Sequence, residues 1–278
     1  LTNAILEFPL SITTPRPQTT RHRILGIHSE ENAQIIFLDT PGLIDPAYKL
    51  QEWMMKAAKS AFKDADIILF LVEASTQPKS RDLEILGMVK TVGVPTILVI
   101  NKIDLVDKAS LLPLIDAYRA AFDFIDIIPL SARTGENIDD LKEVIRKNLP
   151  FGPPLFPQDI VTDHPERFFV SELVREQIYL NFGDELPFST TVVIDEFIER
   201  PGRKDFIKAR IIVERESQKK IIIGKNGAGV RQIGLNARRE IEKFLRRPVY
   251  LELFVAVREK WRKKDLLLKE FGYDDRSM

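Results

Sequence analysis

The stretch Ile67-Ile68-Leu69-Phe70-Leu71-Val72 is a run of six apolar residues, most of them β-branched or aromatic. Successive side chains of a strand point to opposite faces, so a strand of this composition is apolar on both. Such strands are typical of a parallel sheet that is covered by helices on each side. This stretch therefore predicts an α/β fold for the part of the chain around it.

Short apolar runs and helical stretches alternate through the whole first half of the chain. The predicted strands cover residues 21–27, 34–38, 66–72, 96–100 and 126–129. The predicted helices cover residues 47–62, 80–91, 110–122 and 137–147. Helices that return between parallel strands give an open, doubly wound domain, which binds its ligands at the carboxyl ends of the strands.

The pattern changes in residues 150–157, which contain four prolines and one glycine. Neither a helix nor a central strand tolerates this composition. We interpret residues 150–165 as a linker between a domain of residues 1–149 and a second domain of residues 166–278. In the second domain we predict a helix (166–181), two strands (190–199 and 206–214), helices (218–247), a strand (249–255) and a terminal helix (260–271). This order indicates an α+β domain with a three-stranded sheet.

Composition excludes several classes of function. The 278 residues include no cysteine, which rules out disulfides, thiolate metal sites and a cysteine nucleophile. No apolar run reaches the roughly 20 residues that a membrane-spanning helix needs. The net charge is zero, but residues 200–264 hold 20 Lys and Arg against 7 Asp and Glu, so the remainder carries −13. This asymmetry indicates a basic module that meets a polyanion, although a solvated basic face is the alternative.

Asp39-Thr40-Pro41-Gly42 follows the predicted strand 34–38. A carboxylate in this place can hold Mg²⁺ through water, and Gly42 can bring its backbone N–H against a terminal phosphate. An ordinary turn is the alternative, because Asp, Pro and Gly favour turns. Leu43 stands where related sites carry a glutamine that orients the attacking water, so we expect slow hydrolysis unless another group orders that water. The catalytic residue is unknown; His22 and His28 are chemically suitable.

Asn101-Lys102-Ile103-Asp104 follows the predicted strand 96–100. Asp104 can accept hydrogen bonds from N1–H and the exocyclic amine of guanine, a donor pair that adenine lacks. Asn101 would brace the loop, and the aliphatic stem of Lys102 would lie over the base. Ser131-Ala132 follows the strand 126–129, where a backbone N–H could recognise the guanine O6.

The order of these three motifs resembles that of the translation-factor-like GTPases. In that family the first switch supplies a threonine to Mg²⁺ and the terminal phosphate, and Thr19 and Thr20 precede the strand 21–27 here. We take Thr20 with Asp39 as the candidate metal pair, although the residues do not decide between the two threonines. Mg²⁺ is the expected cofactor, and GTP and GDP are the expected ligands.

Ile221-Ile222-Ile223-Gly224-Lys225-Asn226-Gly227-Ala228-Gly229-Val230 lies in the basic region and matches the Gly-x-x-Gly loop of KH domains. Two glycines let the backbone pack against a nucleic acid, and Lys225 and Asn226 stand between them. The predicted apolar groove consists of Ile222, Ile223 and Val230, and it would accept unstacked bases. A glycine-rich turn between helices is the alternative. With two strands before the loop, the order is that of the type II, prokaryotic KH arrangement.

A GTPase domain joined through a proline-rich linker to a KH domain resembles the Era family along nearly the whole chain. The segments 17–23, 39–43 and 163–169 are similar to that family as well. The resemblance implies binding to the 3′ end of small-subunit ribosomal RNA and a role in maturation of the small ribosomal subunit. It also implies a cytoplasmic monomer, with peripheral association with the inner membrane in some bacteria. The basic cluster 260–264 would face RNA or anionic lipid, and we favour RNA.

The sequence departs from the family in one motif. It does not contain the loop Gly-x-x-x-x-Gly-Lys-Ser/Thr, with which the family binds the phosphates of its nucleotide. Residues 1–6 resemble the helix that follows this loop, so we expect the loop to precede Leu1 in the natural protein. Hydrolysis by the chain without it is expected to be impaired. Two further functions stay open: an RNA-binding module with a hydrolytically inactive nucleotide domain, and a membrane-associated GTPase.

Overall fold

The computed structural model describes residues 1–273. They form two compact units, of which the amino-terminal unit contains Leu1–Phe8, Leu25–Leu38 and Ala58–Thr162. The carboxyl-terminal unit contains Pro9–Ile24, Asp39–Ala57 and the residues from Asp163 onward. Two short internal segments, 9–24 and 39–57, therefore belong to the carboxyl-terminal unit although they come early in the sequence.

The amino-terminal unit contains a parallel sheet with helices on both faces and a separate pair of strands. Its strands are β1 (Ile24–Ser29), β2 (Gln34–Asp39), β3 (Ile68–Glu73), β4 (Thr96–Asn101) and β5 (Asp126–Pro129), and its helices are α1 (Thr2–Leu6), α2 (Lys49–Asp64), α3 (Ser80–Val92), α4 (Leu111–Ala121) and α5 (Ile138–Asn148). The end residues Ile24 and Asp39, and the first part of α2, belong to the carboxyl-terminal unit. Strands β3, β4 and β5 form a parallel sheet in that order, and β1 and β2 pair with each other.

Strand β4 shows why the sheet is doubly covered, since its residues from Thr96 to Ile100 are all buried. Leu98 and Ile100 pack with residues of α3 and α4 in one cluster. Ile97 and Val99, which point to the opposite face, pack with residues of α5 and β2 in another. The two clusters confirm the α/β prediction made from strands that are apolar on both faces.

The proline-rich residues 150–157 are fastened to β2 by the Gln34 side chain. Its Oε1 accepts hydrogen bonds from the backbone N–H of Leu155 at 2.9 Å and of Phe156 at 3.0 Å. Its Nε2 donates to the Phe156 carbonyl at 2.9 Å. One amide therefore supplies the hydrogen bonds that a segment outside a helix or sheet cannot make by itself.

The carboxyl-terminal unit has a three-stranded sheet, and one face of this sheet packs against three helices. Its elements are α6 (Glu166–Asn181), β6 (Thr191–Ile198), β7 (Asp205–Val213), α7 (Glu216–Ile223), α8 (Ala228–Leu245), β8 (Val249–Val257) and α9 (Asp265–Glu270). Strand β7 is central, antiparallel to β6 and parallel to β8. One core joins the sheet to α6, α7 and α8. This is the α+β arrangement that the sequence predicts.

A second cluster in the carboxyl-terminal unit contains residues of the early segment 39–57. Leu50 and Met54 of α2 pack with Ile212 of β7 and with Trp261 and Phe271 near the end of the chain. Sequence periodicity carries no signal for such a contact, because Leu50 and Met54 lie more than 150 residues before Ile212 in the chain.

The prediction of one helix over residues 260–271 is wrong. Lys260 has a left-handed backbone (φ 54°), a short helical turn spans Trp261–Lys263, and Lys264 is extended before α9 begins. Trp261 is fully buried and its indole Nε1 donates to the Ser189 carbonyl at 2.9 Å. Burial of this ring therefore overrides the helical propensity of the segment. Within residues 1–273, none of the helices has the length and apolarity that crossing a bilayer requires.

Candidate functional site

The carboxyl ends of β4 and β5 bring two predicted motifs together. The parallel register pairs Ile100 with Pro129, so the residues that follow the two strands lie side by side. Asn101 ends β4, and its Oδ1 accepts hydrogen bonds from the backbone N–H of Lys102 at 2.8 Å and of Ala132 at 3.0 Å. One side chain therefore holds the two loops together.

The Asp104 carboxylate is oriented by two neighbours of different kinds. Asp104 lies in the short helical turn Ile103–Leu105, and Ile103 is buried beneath it. The Ser131 hydroxyl donates to Oδ1 at 2.6 Å, and Nη2 of Arg133 lies 2.5 Å from Oδ2. The hydrogen bond from Ser131 and the charge of Arg133 hold the pKa of Asp104 below its usual value. The carboxylate is thus ionised at neutral pH and fixed in direction, as recognition of two donors requires.

Glu73 fixes the end of the Lys102 side chain. Lys102 has a left-handed backbone (φ 69°), and its ammonium forms an ion pair with Glu73. Glu73 ends β3 directly opposite Asn101 in the parallel register, and it also lies 3.2 Å from Nζ of Lys79. Sequence reasoning missed Glu73, because its position beside the loop depends on strand register.

The two backbone donors that we predict for the guanine O6 both have partners within the protein. The N–H of Ser131 donates to the Glu136 carbonyl at 3.1 Å, and the N–H of Ala132 donates to Asn101. Both donors are used within the two loops because each would otherwise be left without a partner on burial. The Ala132 N–H can therefore donate to the guanine O6 only if it shares its hydrogen between O6 and Asn101 Oδ1, or if its hydrogen bond to Asn101 breaks.

Asp39 lies at the end of β2, and the residues 39–43 belong to the carboxyl-terminal unit. The Ser11 hydroxyl donates to Asp39 Oδ2. Burial raises the pKa of the Asp39 carboxyl, and the hydrogen bond from Ser11 offsets part of that rise. A Cβ on Gly42 would meet none of the described atoms within 4 Å, so packing does not require glycine there. The open space suits a phosphate that approaches the backbone.

The two candidate threonines of the first switch differ in their contacts. The Thr19 hydroxyl donates to the Arg16 carbonyl at 2.9 Å and lies 2.9 Å from the Thr14 hydroxyl. Its side chain is buried, whereas Thr20 is only partly buried. Because the hydroxyl of Thr19 is committed to its own turn, Thr20 is the better candidate for a ligand.

Arg21 attaches the segment 9–24 to the carboxyl-terminal unit, and sequence reasoning assigned it no such role. Its buried guanidinium donates to the carbonyl oxygens of Thr190 at 2.8 Å, Pro187 at 3.1 Å and Phe188 at 3.1 Å. Five fixed donors make arginine suited to several acceptors at once. Strand β1 accordingly begins at Ile24 instead of residue 21, since Arg21 is held elsewhere.

The two histidines considered for ordering water both have structural partners. The His22 ring stacks on Tyr273 with centroids 4.7 Å apart and meets Phe168 edge-on at 5.5 Å. Burial among these rings lowers the pKa of His22 to about 4, so the ring is neutral at physiological pH. Nε2 of His28 lies 3.1 Å from a carboxylate oxygen of Glu30. These contacts account for both rings without a catalytic role.

The predicted glycine loop connects α7 to α8. Gly224, Asn226 and Gly227 have φ values of 70°, 52° and 76°, in the left-handed region that glycine adopts at little cost. Lys225 and Asn226 expose their side chains between the two glycines. The loop therefore presents one cation and one amide on a backbone that turns tightly.

Ile222 does not line a surface groove, which corrects the prediction. Its side chain is fully buried in the core of the unit, whereas the neighbouring Ile221 is 56% exposed. Consecutive residues of a helix differ by about 100° in direction, so only one of the pair can face the core. Ile223 and Val230 are half-buried beside the loop and are available as an apolar surface.

The segment 260–264 is not a uniform basic surface. Nη2 of Arg262 lies 2.6 Å from the Glu214 carboxylate, and the guanidinium lies 4.7 Å from the centroid of the Tyr48 ring. Lys260, Lys263 and Lys264 are exposed. Arg262 therefore packs within the unit, and the three exposed lysines are available to bind a polyanion.

Residues 1–273 contain no group of three or more His, Cys, Asp and Glu side chains arranged to hold a metal ion. The lone carboxylate of Asp39, with a hydroxyl bound to it, nevertheless fits Mg²⁺. Mg²⁺ in phosphate-binding sites is usually held by one or two side chains, with waters and substrate phosphates as its other ligands.

Comparison with known proteins now decides the family. Residues 1–102 match the model of the 50S ribosome-binding GTPases, and residues 185–262 match that of KH domains. The GTPase Era of Geotalea daltonii is 48% identical over 274 residues, which cover 99% of this chain and 92% of that protein. The chain belongs to the Era family of GTPases. The chloroplastic GTPase ERA-like protein of rice is 46% identical and is covered over 65% of its length.

Two solved Era structures share the fold of this family member. One is a variant of Aquifex aeolicus Era bound to GDP and AlF₄⁻, and the other is Era in complex with MgGDPNP and nucleotides 1506–1542 of 16S ribosomal RNA. Each has a TM-score of 0.94 and 42% identity, and each match covers 98% of this chain and 93% of the other. This chain is therefore a GTPase with an amino-terminal GTPase domain and a carboxyl-terminal KH domain.

Gly229 lies in the first turn of α8, directly after the glycine loop. Sequence reasoning did not single it out. A Cβ on Gly229 would lie 2.4 Å from the carbonyl oxygen of Ile222 and 3.2 Å from that of Ile223. Because Gly229 has no side chain, the end of α7 can pack directly against the start of α8. The only sequence signal was a third glycine two residues beyond the loop.

We expect Gly229→Ala to destabilise the carboxyl-terminal unit by about 1–3 kcal/mol, because helix ends that are in contact must move apart. Gly234→Ala in the same helix is the matched control. Its Cβ would meet only Leu253 Cδ1 at 3.5 Å, and alanine is the better helix former. The measurement is urea denaturation followed by circular dichroism. Equal stability of the two variants would contradict the close approach at Gly229.

Proposed function

We propose that this protein binds and hydrolyses GTP and binds the 3′ end of small-subunit ribosomal RNA. The observation that carries the proposal is the loop pair at β4 and β5, where Asn101 joins two loops and Ser131 orients Asp104. A second loop with an exposed Lys225 lies within the basic residues 200–264 of the same chain. The Era complex with MgGDPNP and the ribosomal RNA fragment supports the combination.

In the proposed nucleotide site, Asp104 accepts the two guanine donors and the aliphatic stem of Lys102 covers the base. Asn101 and Ile103 act by holding the loop, and Ser131 acts by orienting Asp104. Ala132 donates to O6 once its N–H is shared with the base. Adenine presents no donor pair to a fixed carboxylate, so the site selects guanine.

In the proposed phosphate site, Asp39 and Thr20 hold Mg²⁺ and the backbone N–H of Gly42 contacts the terminal phosphate. Mg²⁺ supplies charge neutralisation of the phosphates when it is bound. Thr40 and Pro41 shape this turn, and Leu43, which is apolar, cannot orient water. We assign the GTPase domain to residues 1–149, the linker to 150–165 and the KH domain to 166–278.

In the proposed RNA site, Gly224 and Gly227 let the loop backbone meet the RNA backbone, and Lys225 and Asn226 contact phosphates. Ile223 and Val230, together with the exposed Ile221, offer apolar surface to unstacked bases. Binding there assists maturation of the small ribosomal subunit, in the cytoplasm and as a monomer. The surrounding charge favours RNA, because phosphate contacts dominate affinity for nucleic acids.

Two alternative functions are distinguished by two measurements, phosphate release from GTP and a binding titration. An RNA-binding module without hydrolysis keeps RNA affinity but releases no phosphate from GTP. A membrane-associated GTPase uses the exposed lysines of 260–264 on lipid. We expect a fluorescent oligonucleotide of the ribosomal RNA 3′ end to bind in physiological salt and to dissociate steeply as salt rises. Stronger binding to vesicles that contain anionic lipid than to the oligonucleotide would favour the membrane function.

A further inference from the structure

Both oxygens of the Asp104 carboxylate already have partners in the protein alone. The Ser131 hydroxyl is on Oδ1 at 2.6 Å, and the Arg133 guanidinium is on Oδ2 at 2.5 Å. The two partners differ in exposure: Ser131 is fully buried, whereas the Arg133 side chain is 73% exposed. Asp104 itself is only 11% exposed. The Arg133 side chain therefore approaches the carboxylate from solvent.

A guanine base needs both carboxylate oxygens, one for N1–H and one for the exocyclic amine. The Ser131 contact can stay, because a carboxylate oxygen accepts more than one hydrogen bond. Ser131 is also fixed from its other side, since its Oγ accepts the N–H of Thr134 at 3.2 Å. The Arg133 guanidinium is a planar group with several donors, as the guanine edge is, and it occupies the solvent side of Oδ2. A base that donates to Oδ2 therefore competes with the guanidinium for that oxygen.

We infer that Arg133 is a displaceable cap on Asp104 that competes with guanine for the carboxylate. The inference rests on the proposed role of Asp104 as the guanine acceptor. The cap keeps the carboxylate paired while no nucleotide is bound. Nucleotide binding must break the ion pair, so Arg133 lowers guanine-nucleotide affinity. It also promotes nucleotide release, because the guanidinium is held beside the base and can return.

The loop supplies a matched control for this inference. Lys108 is also 73% exposed, and its ammonium lies 2.6 Å from the Glu136 carboxylate in the loop that carries Arg133. Lys108→Met removes the same charge from the same neighbourhood as Arg133→Met and does not touch Asp104. Any general loss of attraction for the nucleotide phosphates therefore appears in both variants.

The test is titration of a fluorescent GDP analogue into the full-length protein and both variants, at low and at high salt. Relative to Lys108→Met, we expect Arg133→Met to bind GDP about 1.5- to 5-fold more tightly in low salt, the range for a partly exposed ion pair. The difference should shrink in high salt, because salt screens the pair that the wild type must break. Binding by Arg133→Met that equals or falls below that of Lys108→Met overturns the inference. Weaker binding would mean that Arg133 contacts the nucleotide.

The Asp104→Asn variant separates failure of the cap from failure of the proposed function. If that variant shifts its preference from guanine to xanthine nucleotides and Arg133→Met does not bind GDP more tightly, only the cap is wrong. If Asp104→Asn leaves base preference unchanged, Asp104 is not the guanine acceptor and both conclusions are overturned.

Discussion

Asp104→Asn is expected to lower GTP affinity by about 100-fold or more and to make xanthosine triphosphate the preferred ligand. The amide offers one acceptor where guanine needs two, and its NH₂ group opposes a guanine donor. Hydrogen bonds to charged groups contribute about 1.5–3 kcal/mol each, so loss of this pair accounts for the size of the effect. Xanthine carries a carbonyl where guanine has its amine, and the new amide can donate to it. Competition of each triphosphate against a fluorescent GDP analogue measures both affinities.

Asp107→Asn is the matched control for the base switch. Asp107 is the next acidic residue along the chain, and its carboxylate accepts the backbone N–H of Ala109 at 3.3 Å. This substitution should leave the preference for guanine unchanged. An equal loss of both triphosphates in Asp104→Asn would show that the carboxylate serves the fold through Ser131, not the base.

Replacement of Lys225 and Asn226 by aspartate is expected to lower affinity for the ribosomal RNA 3′ end by about 100-fold or more. Two new carboxylates would stand at the exposed tip of the loop, where the proposed contacts are phosphates. Because each phosphate contact contributes strongly to affinity and to its salt dependence, the loss should be largest at low salt. Neither side chain is buried, so the fold and guanine-nucleotide binding should persist. A filter-binding titration measures the RNA affinity.

The control for this double variant changes the total charge by the same amount in the amino-terminal unit. Lys90 and Thr91 are exposed neighbours near the end of α3, and their replacement by aspartate also lowers the net charge by three. RNA affinity should fall only slightly in that protein. If the two double variants lose affinity equally, long-range charge explains the effect, and the glycine loop is not the contact.

The core of each unit follows from local pattern, and the sequence therefore predicts it well. Strand β4 and its neighbours are apolar on both faces, and that pattern alone requires cover from helices on each side. The loop motifs follow their strands closely, so the clustering of Asn101, Asp104 and Ser131 at one sheet edge could be predicted as well. The chemistry of these three residues was predictable because it depends on the residue types and on their spacing within each motif.

What the sequence does not reveal depends on contacts between distant parts of the chain. Arg21 reads as the start of a strand, yet its partners Pro187, Phe188 and Thr190 come more than 160 residues later. The assignment of Ile222 to a groove failed for a related reason, since three consecutive isoleucines give no information about which one faces the core. Only the packing of α7 decides that Ile221 is exposed.

The segments that carry Asp39 and Thr20 pack within the same unit as the glycine loop of residues 224–227. Arg21 holds the segment 9–24, which carries Thr20. The burial of Leu50 and Met54 holds the segment 39–57, which carries Asp39. If Asp39 and Thr20 hold Mg²⁺ as proposed, a change at either residue therefore acts on a segment that packs within the unit that carries the glycine loop.

The most direct measurement is binding of the full-length protein, with a GTP analogue and Mg²⁺, to the native 3′-terminal sequence of small-subunit ribosomal RNA. The comparison is an oligonucleotide of the same length and composition in permuted order, at physiological salt. A KH groove that reads unstacked bases should favour the native sequence by at least about tenfold, since base contacts add specificity to the phosphate contacts. Equal affinity for the two oligonucleotides would contradict the account, because it would reduce the second domain to a basic surface without sequence recognition.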